Sequence, residues 1–195
     1  MPDRNSDGQL LERASAGDQS AFLELYERHR QAIFRFAYRL LGSVEMAEDI
    51  THDCFLGVIR KPENFDPSRA SLRTYMYAAA RNLAMKQFRS VGRESALDDL
   101  ADDQSLPDRE APLRQILDKE LAAIVKDAVQ KLPPLQREAL ILFEYEGLSL
   151  AEVAAVVDSD VGAVKARLHR ARERLRNALR PYLNSNREIV TLKEA

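Results

Sequence analysis

Apolar residues recur three and four positions apart through most of the chain, the period of helices that bury one face. From Asp18, a residue suited to capping a helix, Phe22, Leu25, Tyr26, His29, Ile33, Phe36, Ala37 and Leu40 fall on one side, and Gly42 ends the run. Ser43 is placed to cap a second helix with Val44, Ala47, Thr51, Cys54, Phe55 and Val58 inward, stopped by Lys61-Pro62. Glu63 to Ser68 reads as a loop from its Asn, Asp, Pro and Ser content. A third helix, from about Arg69 to Ser90, is expected to bury Leu72, Met76, Ala79 and Leu83. With a short helix near Gln9–Ala14, these segments predict one bundle.

Residues 91–118 lose the period and carry Pro107 and Pro112, so a linker is expected there. Beyond it, Leu121, Val125, Ala128, Val129 and Leu132 share a face before Pro133-Pro134, and Leu135, Ala139, Leu142 and Phe143 share another that Gly147 closes. Then Leu150, Val153, Ala154 and Val157 mark a short helix, and Asp158-Ser159-Asp160 a polar turn. Val161, Val164, Leu168, Ala171, Leu175 and Ala178 mark a second helix. Helix, short turn, helix is the helix-turn-helix arrangement. Asp158 takes the turn position where glycine is common, and Asp tolerates left-handed backbone better than most residues. The expectation is an all-α chain of two helical domains: a bundle over 1–90, an acidic flexible linker over 91–118, a helix-turn-helix domain over 119–182, and a tail over 183–195.

Charge sharpens this picture. The 195 residues hold 29 Lys and Arg against 31 Asp and Glu, a formal net charge of -2, but the distribution is uneven. Residues 91–118 carry 3 basic and 8 acidic side chains; Pro67 to Arg93 holds six basic residues and no acid; Ala163 to Arg180 holds seven basic residues and one acid, Glu173. Screening confines each field to about 10 Å, so the overall acidity does not cancel the two cationic stripes. Two such stripes flanking an acidic spacer point to nucleic acid. On the last helix, Ala163, Arg167, Arg170 and Arg174 lie along one flank and Lys165, His169, Arg172 and Arg176 along the other. Small residues followed by basic ones suit a helix lying in a major groove.

Other chemistry is sparse. One cysteine, Cys54, excludes an internal disulfide framework and a multi-cysteine zinc site. Glu48 and Asp49 stand four and three residues before His52, an acid–His step that could ligate metal in a bundle. Such a site needs a second matching motif, and the sequence has none, so no metal, cofactor or catalytic role is expected. No apolar run approaches the ~20 residues of a membrane span, and the first ten residues lack the apolar core of a secretion signal. The expected location is cytoplasmic, with no membrane insertion.

The segments MAEDITHDCFLGVIR and FDPSRASLRTYMYAAARNLA, followed by LPPLQREALILFEYEGLSLAEVA and VGAVKARLHRARERLR, resemble in order the two halves of an extracytoplasmic-function (ECF) RNA polymerase sigma factor. The resemblance implies core RNA polymerase, promoter DNA and an anti-sigma factor as partners. It implies that Glu48, Asp49, Ile50 and Asp53, with Glu45 nearby, dock on the polymerase. It also implies that Phe65, Arg73, Tyr75, Asn82, Lys86 and Arg89 read the minus-10 element, with Phe65 and Asn82 pocketing a flipped base. A base turned out of the stack needs an aromatic wall and an amide to read its edge. Lys165, Arg167, His169, Arg170, Arg172 and Arg174 match the positions facing the minus-35 duplex, where Arg or Lys on guanine is the commonest specific contact. The acidic knot Asp98, Asp99, Asp102 and Asp103 belongs to the segment that, in the family, threads through the polymerase. The chain departs from the family at Lys86 (usually Asp), Tyr75 (usually Trp), and Ala163 and Ala166 (usually hydroxyl residues). Two other functions fit part of the pattern: a sigma-like mimic that titrates an anti-sigma factor, and an ordinary helix-turn-helix regulator. The mimic has no need of both cationic stripes, and the regulator leaves the first bundle unexplained.

Overall fold

Asp18 and Gly42 bound the long helix of the first half as their chemistry requires. Asp18 Oδ1 accepts the Ser20 and Ala21 amides at 3.0 and 3.1 Å. Gly42 takes the left-handed conformation at φ 82° and donates its amide to Tyr38. The Ser20 hydroxyl, then the Ala21 amide and Arg13, hold the Asp18 carboxyl well below the usual carboxylate range. The structure, a computed structural model, describes residues 6–94 and 113–191, with side chains placed over 6–88 and 121–182. Among these residues it forms eight α-helices: α1 Asp7–Ser15, α2 Gln19–Leu41, α3 Val44–Arg60, α4 Leu72–Glu94, α5 Leu113–Gln130, α6 Pro134–Leu140, α7 Leu150–Val156 and α8 Val161–Thr191. The acidic knot at 98–103 lies outside the described residues.

In the first domain α1, α3 and α4 pack around α2. Leu25, Ile33, Phe36 and Leu40 of α2 have essentially no solvent contact. Phe36 meets Tyr77 edge-on, ring centres 5.4 Å apart. Phe22, expected inward, is 36% exposed and stacks on Tyr26 instead. Helix α4 starts at Leu72 rather than Arg69, because the Ser71 hydroxyl caps it by accepting the Thr74 amide at 3.1 Å. Its buried residues are Leu72, Thr74, Met76, Tyr77, Ala80 and Ala84, while Ala79 and Leu83 are only half-buried. The stripe is rotated and widened because α4 touches α2 and α3 on one side and α7 of the second domain on the other.

In the second domain the expected single face from Leu135 to Phe143 breaks. Leu135 is 48% exposed, and the buried run is Glu138 to Leu142. A π-helical turn at Ile141–Tyr145, closed by the Glu146 amide on the Ile141 carbonyl at 3.0 Å, follows this run. The wider turn offsets the residues beyond it by roughly 100° relative to an α-helix. The expected boundaries also move. Helix α4 runs through 91–94, α5 occupies 113–118, and α8 continues to Thr191 across the expected start of the tail. Pro181 forgoes its own ladder hydrogen bond without ending the helix.

The buried apolar residues of both halves form one contiguous cluster. Around it lies a set of charged contacts. Glu138, without solvent contact, accepts Arg81 Nε at 2.8 Å and Arg81 Nη2 at 3.2 Å, with Arg167 of α8 at 3.4 Å. Glu146, with a side chain 3% exposed, accepts Arg39 at 2.8 Å and the Tyr77 hydroxyl at 2.7 Å, while Arg73 donates to its backbone carbonyl. Burying each carboxylate costs several kcal/mol, and the attraction roughly offsets that cost, so these pairs specify placement more than they add stability. Gln130 donates to the Arg39 carbonyl at 2.7 Å, over Gly42, where a Cβ would lie 3.4 Å from the Gln130 side chain.

Arg137 closes the same seam. Its guanidinium donates to the carbonyls of Leu40 at 2.7 Å, Leu132 at 3.0 Å, and Gln130, and burial lowers its pKa from the ordinary value. Arg137→Ala leaves those carbonyls unpaired and is expected to lower the unfolding free energy by about 3 kcal/mol. Urea titration measures this as a lower midpoint. Lys131→Ala, which removes an ion pair with Asp127 on open surface, should leave the midpoint unchanged.

Candidate nucleic-acid interface

The short 3₁₀ turn Pro62–Asn64 brings Phe65 to the start of α4, with the Phe65 amide on the Pro62 carbonyl at 3.0 Å. Asp66 then accepts the Ser68 amide and hydroxyl at 2.9 and 2.7 Å. That turn sets the Phe65 ring 5.6 Å from Tyr75 at a 50° tilt. The two rings, with Asp66, Arg69, Thr74 and Ala78, line a cavity of about 400 Å³. Burial raises the Tyr75 phenol pKa, helped by Cys54 and Glu63, so the ring carries a neutral hydroxyl at physiological pH. The opposite wall comes from the second domain: Ala154, Ala155, Asp158 and Ser159.

The other expected minus-10 residues are dispersed. Asn82 lies two helical turns beyond Tyr75, exposed, with its amide oxygen 3.5 Å from Arg81 and outside the cavity lining. Lys86 is exposed one turn further. Arg73 is turned to the Glu146 carbonyl, its guanidinium 5.5 Å from the Tyr77 ring. Arg89 lies on α4, outside the described side chains.

On α3, Glu45, Glu48, Asp49, His52 and Asp53 form an exposed acidic strip. Ile50 does not belong to it: at 3% exposure it lies in the core with Ala47 and Cys54, where helical period puts it. Burial pushes the Cys54 thiol up to about 12, which leaves it unreactive. Among the described residues no three His, Cys, Asp or Glu side chains gather where an ion could sit.

The helix-turn-helix is built by backbone devices. Ser149 and Glu152 form a capping box on α7. Asp158 holds φ 50° in the turn. Asp160 accepts the Ala163 amide at 2.9 Å at the start of α8, and a Cβ at Gly162 would lie 2.9 Å from that carboxylate. Lys165, His169, Arg170 and Arg174 are exposed along α8. Arg172 is exposed but pairs with Glu144 at 2.6 Å and lies over the Phe143 ring. Arg167 is held inward on Glu138. Periodicity does not reveal the Glu138 and Glu146 contacts with Arg39 and Arg81. The available signal is the three acids Glu138, Glu144 and Glu146 in and beside the apolar run from Ala139 to Tyr145, of which Glu144 stays on the surface with Arg172.

Comparison with known proteins agrees with this layout. Residues 25–94 match the Sigma-70 region 2 family and residues 122–175 match Sigma-70, region 4. The chain is 34% identical to the RNA polymerase sigma-H factor of Pseudomonas aeruginosa, over 94% of this chain and 98% of that protein. It is 31% identical to the ECF RNA polymerase sigma factor SigW of Bacillus subtilis, over 87% of this chain and 95% of that one. Among solved structures, it is similar to the sigma factor RpoE in complex with the anti-sigma factor NepR from Bartonella quintana, with a TM-score of 0.68 and 27% identity over 82% of this chain and 96% of that one. CnrH in complex with the cytosolic domain of CnrY gives a TM-score of 0.66 at 27% identity, over 90% of this chain and 97% of that one. Among the described residues, no helix is long and apolar enough to cross a membrane.

The left-handed residue in the turn provides a test. Asp158→Gly removes the strain and is expected to keep or raise the melting temperature. Asp158→Val adds a branched side chain at positive φ and should cost about 1–2 kcal/mol, read by thermal melting of the two variants side by side.

Proposed function

The chain belongs to the ECF family of RNA polymerase sigma factors, and on that premise we propose how its surfaces divide the work of an alternative sigma factor. Sigma factors initiate transcription without carrying the catalytic chemistry, which belongs to the polymerase. In this chain the exposed acidic strip of α3, Glu48, Asp49 and Asp53, docks on core polymerase, and the buried Ile50 keeps that strip in register. The cavity of Phe65 and Tyr75 takes a flipped base of the minus-10 strand, since two tilted rings offer a stacking wall to any base. Asn82 and Lys86 lie farther along α4, where an amide can read the strand's next base edges and a cation can hold its phosphates.

On α8, Lys165, His169 and Arg170 are open to the minus-35 duplex, while Arg172 and Arg174 suit phosphate. Arg167 takes part only once it leaves Glu138. With alanine at 163 and 166, base reading there rests on the longer cations rather than on hydroxyls. RpoE is seen with the anti-sigma factor NepR, and CnrH with the cytosolic domain of CnrY; for this chain we propose an anti-sigma factor as a partner, and action in the cytoplasm, where polymerase and chromosome meet. One observation supports this reading above the others: a single chain carries both the Phe65–Tyr75 cavity and the exposed cationic side of α8.

Run-off transcription of fragmented genomic DNA with purified core polymerase tests it. Discrete promoter-dependent transcripts are expected only when this protein is added; none at any protein ratio would leave the mimic as the better reading. Within such promoters, Arg170→Ala is expected to cost about 1–3 kcal/mol at one minus-35 position and relax its preference. Arg174→Ala should weaken all sequences alike. Equal, sequence-blind losses would remove Arg170 from the base-reading set.

A further inference from the structure

Glu138 and Glu146 hold Arg39 and Arg81, which the promoter-reading function leaves unassigned, together with Arg73 and Arg167. We propose that these two carboxylates substitute for DNA phosphates on the first domain: the closed arrangement is a promoter-blind state, and opening it frees an arginine face, Arg39, Arg73 and Arg81, that binds the strand's backbone beside the Phe65–Tyr75 cavity. The proposal rests on the promoter-reading function of this chain.

Three observations carry it. The cavity that would take a base has its far wall built by Ala154, Ala155, Asp158 and Ser159, so a continuous strand entering it would run through the space that α7 and its turn occupy. The three arginines are satisfied by the second domain. Arg81 grips Glu138 with two nitrogens at 2.8 and 3.2 Å, Arg39 holds Glu146 at 2.8 Å, and Arg73 donates to the Glu146 carbonyl. Guanidinium recognises carboxylate and phosphate with the same fork, so one can replace the other on the same residues. Finally, Glu138 holds Arg81 of the first domain and Arg167 of the recognition helix at once. One carboxylate therefore occupies a cation from each DNA-reading domain, and parting the domains releases Arg81 outright.

The balance favours exchange rather than permanent closure. The contacts are charge-assisted, and the carboxylates lose them only where another anion, or water, replaces them. Promoter DNA offers many phosphates at once, whereas the clasp offers two carboxylates and one carbonyl. The strip proposed for polymerase docking lies on α3, and none of the clasp residues belongs to that helix.

The test uses the full chain. The sequence has no tryptophan, so Tyr75→Trp places a single fluorophore in the cavity under its far wall. Acrylamide quenching of that residue is compared in three backgrounds: unaltered, Glu146→Gln and Arg39→Gln. Binding of a labelled 20-nucleotide single strand is followed by anisotropy in the same proteins. Both clasp variants should raise quenching and enlarge the radius from X-ray scattering. If the closed form dominates by about ten to one, Glu146→Gln should also tighten strand binding about tenfold. Arg39→Gln opens the chain but removes one of the proposed phosphate ligands, and should gain clearly less.

Unchanged quenching and radius in both variants would overturn the closure. An equal gain in strand binding for Arg39→Gln and Glu146→Gln would overturn the phosphate role of the arginine. Should Glu146→Gln fail to fold by circular dichroism, Arg39→Gln and Arg81→Gln cut the clasp from the other domain and decide the quenching result. The quenching arm contains no DNA, so opening without strand binding in any background would count against promoter reading and not against the closure.

Discussion

A carboxylate taken out of water must find cations or give up its charge, and this chain buries two of them at one seam. Glu138 and Glu146 have almost no solvent contact, and the elements around them are recruited to satisfy them. The end of α2 supplies Arg39, α4 supplies Arg73, Tyr77 and Arg81, and α8 supplies Arg167. The relative placement of these helices follows from meeting those few demands together. Apolar contact alone would allow the helices to slide by a fraction of a turn, whereas a two-pronged Arg81–Glu138 pair does not.

Local backbone chemistry delivers the groups to that seam. The π-turn at Ile141–Tyr145 offsets Glu146 from the helix it follows. Asp158 at positive φ and Asp160 at the head of α8 set the angle at which the recognition helix leaves its partner. Gly42, left-handed at φ 82°, turns the chain beneath the Gln130 side chain. None of these devices contributes much free energy alone. Together they put Arg167 on the side of α8 that faces the seam and leave Lys165, His169 and Arg170 on the side that faces water.

The same geometry ties folding to function. Cations suited to nucleic acid divide into an open set, Lys165 and Arg170 of α8 with Lys86 of α4, and a set engaged by groups of the other domain, Arg39, Arg73 and Arg81. A chain with independent domains joined by a linker would show both sets free. Here the buried clusters are continuous, so freeing the engaged set means separating apolar surface as well as charge. That makes opening a discrete event rather than a gradual loosening.

Much of this was legible in the residues. The helices, the Asp18, Ser43 and Gly42 boundaries, the left-handed Asp158 and the cationic side of α8 all follow from local rules, because period and capping involve neighbours within a turn or two. The chain order of motifs was enough to identify the family. Local period misplaced what depends on distant partners. Leu135 shares the apolar stripe by period, yet at the head of α6 it is 48% exposed. Ala79 and Leu83 look like core by period, yet the buried stripe of α4 runs through Met76, Tyr77, Ala80 and Ala84 instead. Phe65 and Tyr75 meet only because a 3₁₀ turn and an Asp66–Ser68 contact fold between them. The pairing of Arg39 with Glu146 spans more than a hundred residues, and Arg81 with Glu138 more than fifty. No periodicity encodes such a pairing; it is decided when two buried carboxylates find the cations that packing brings within reach.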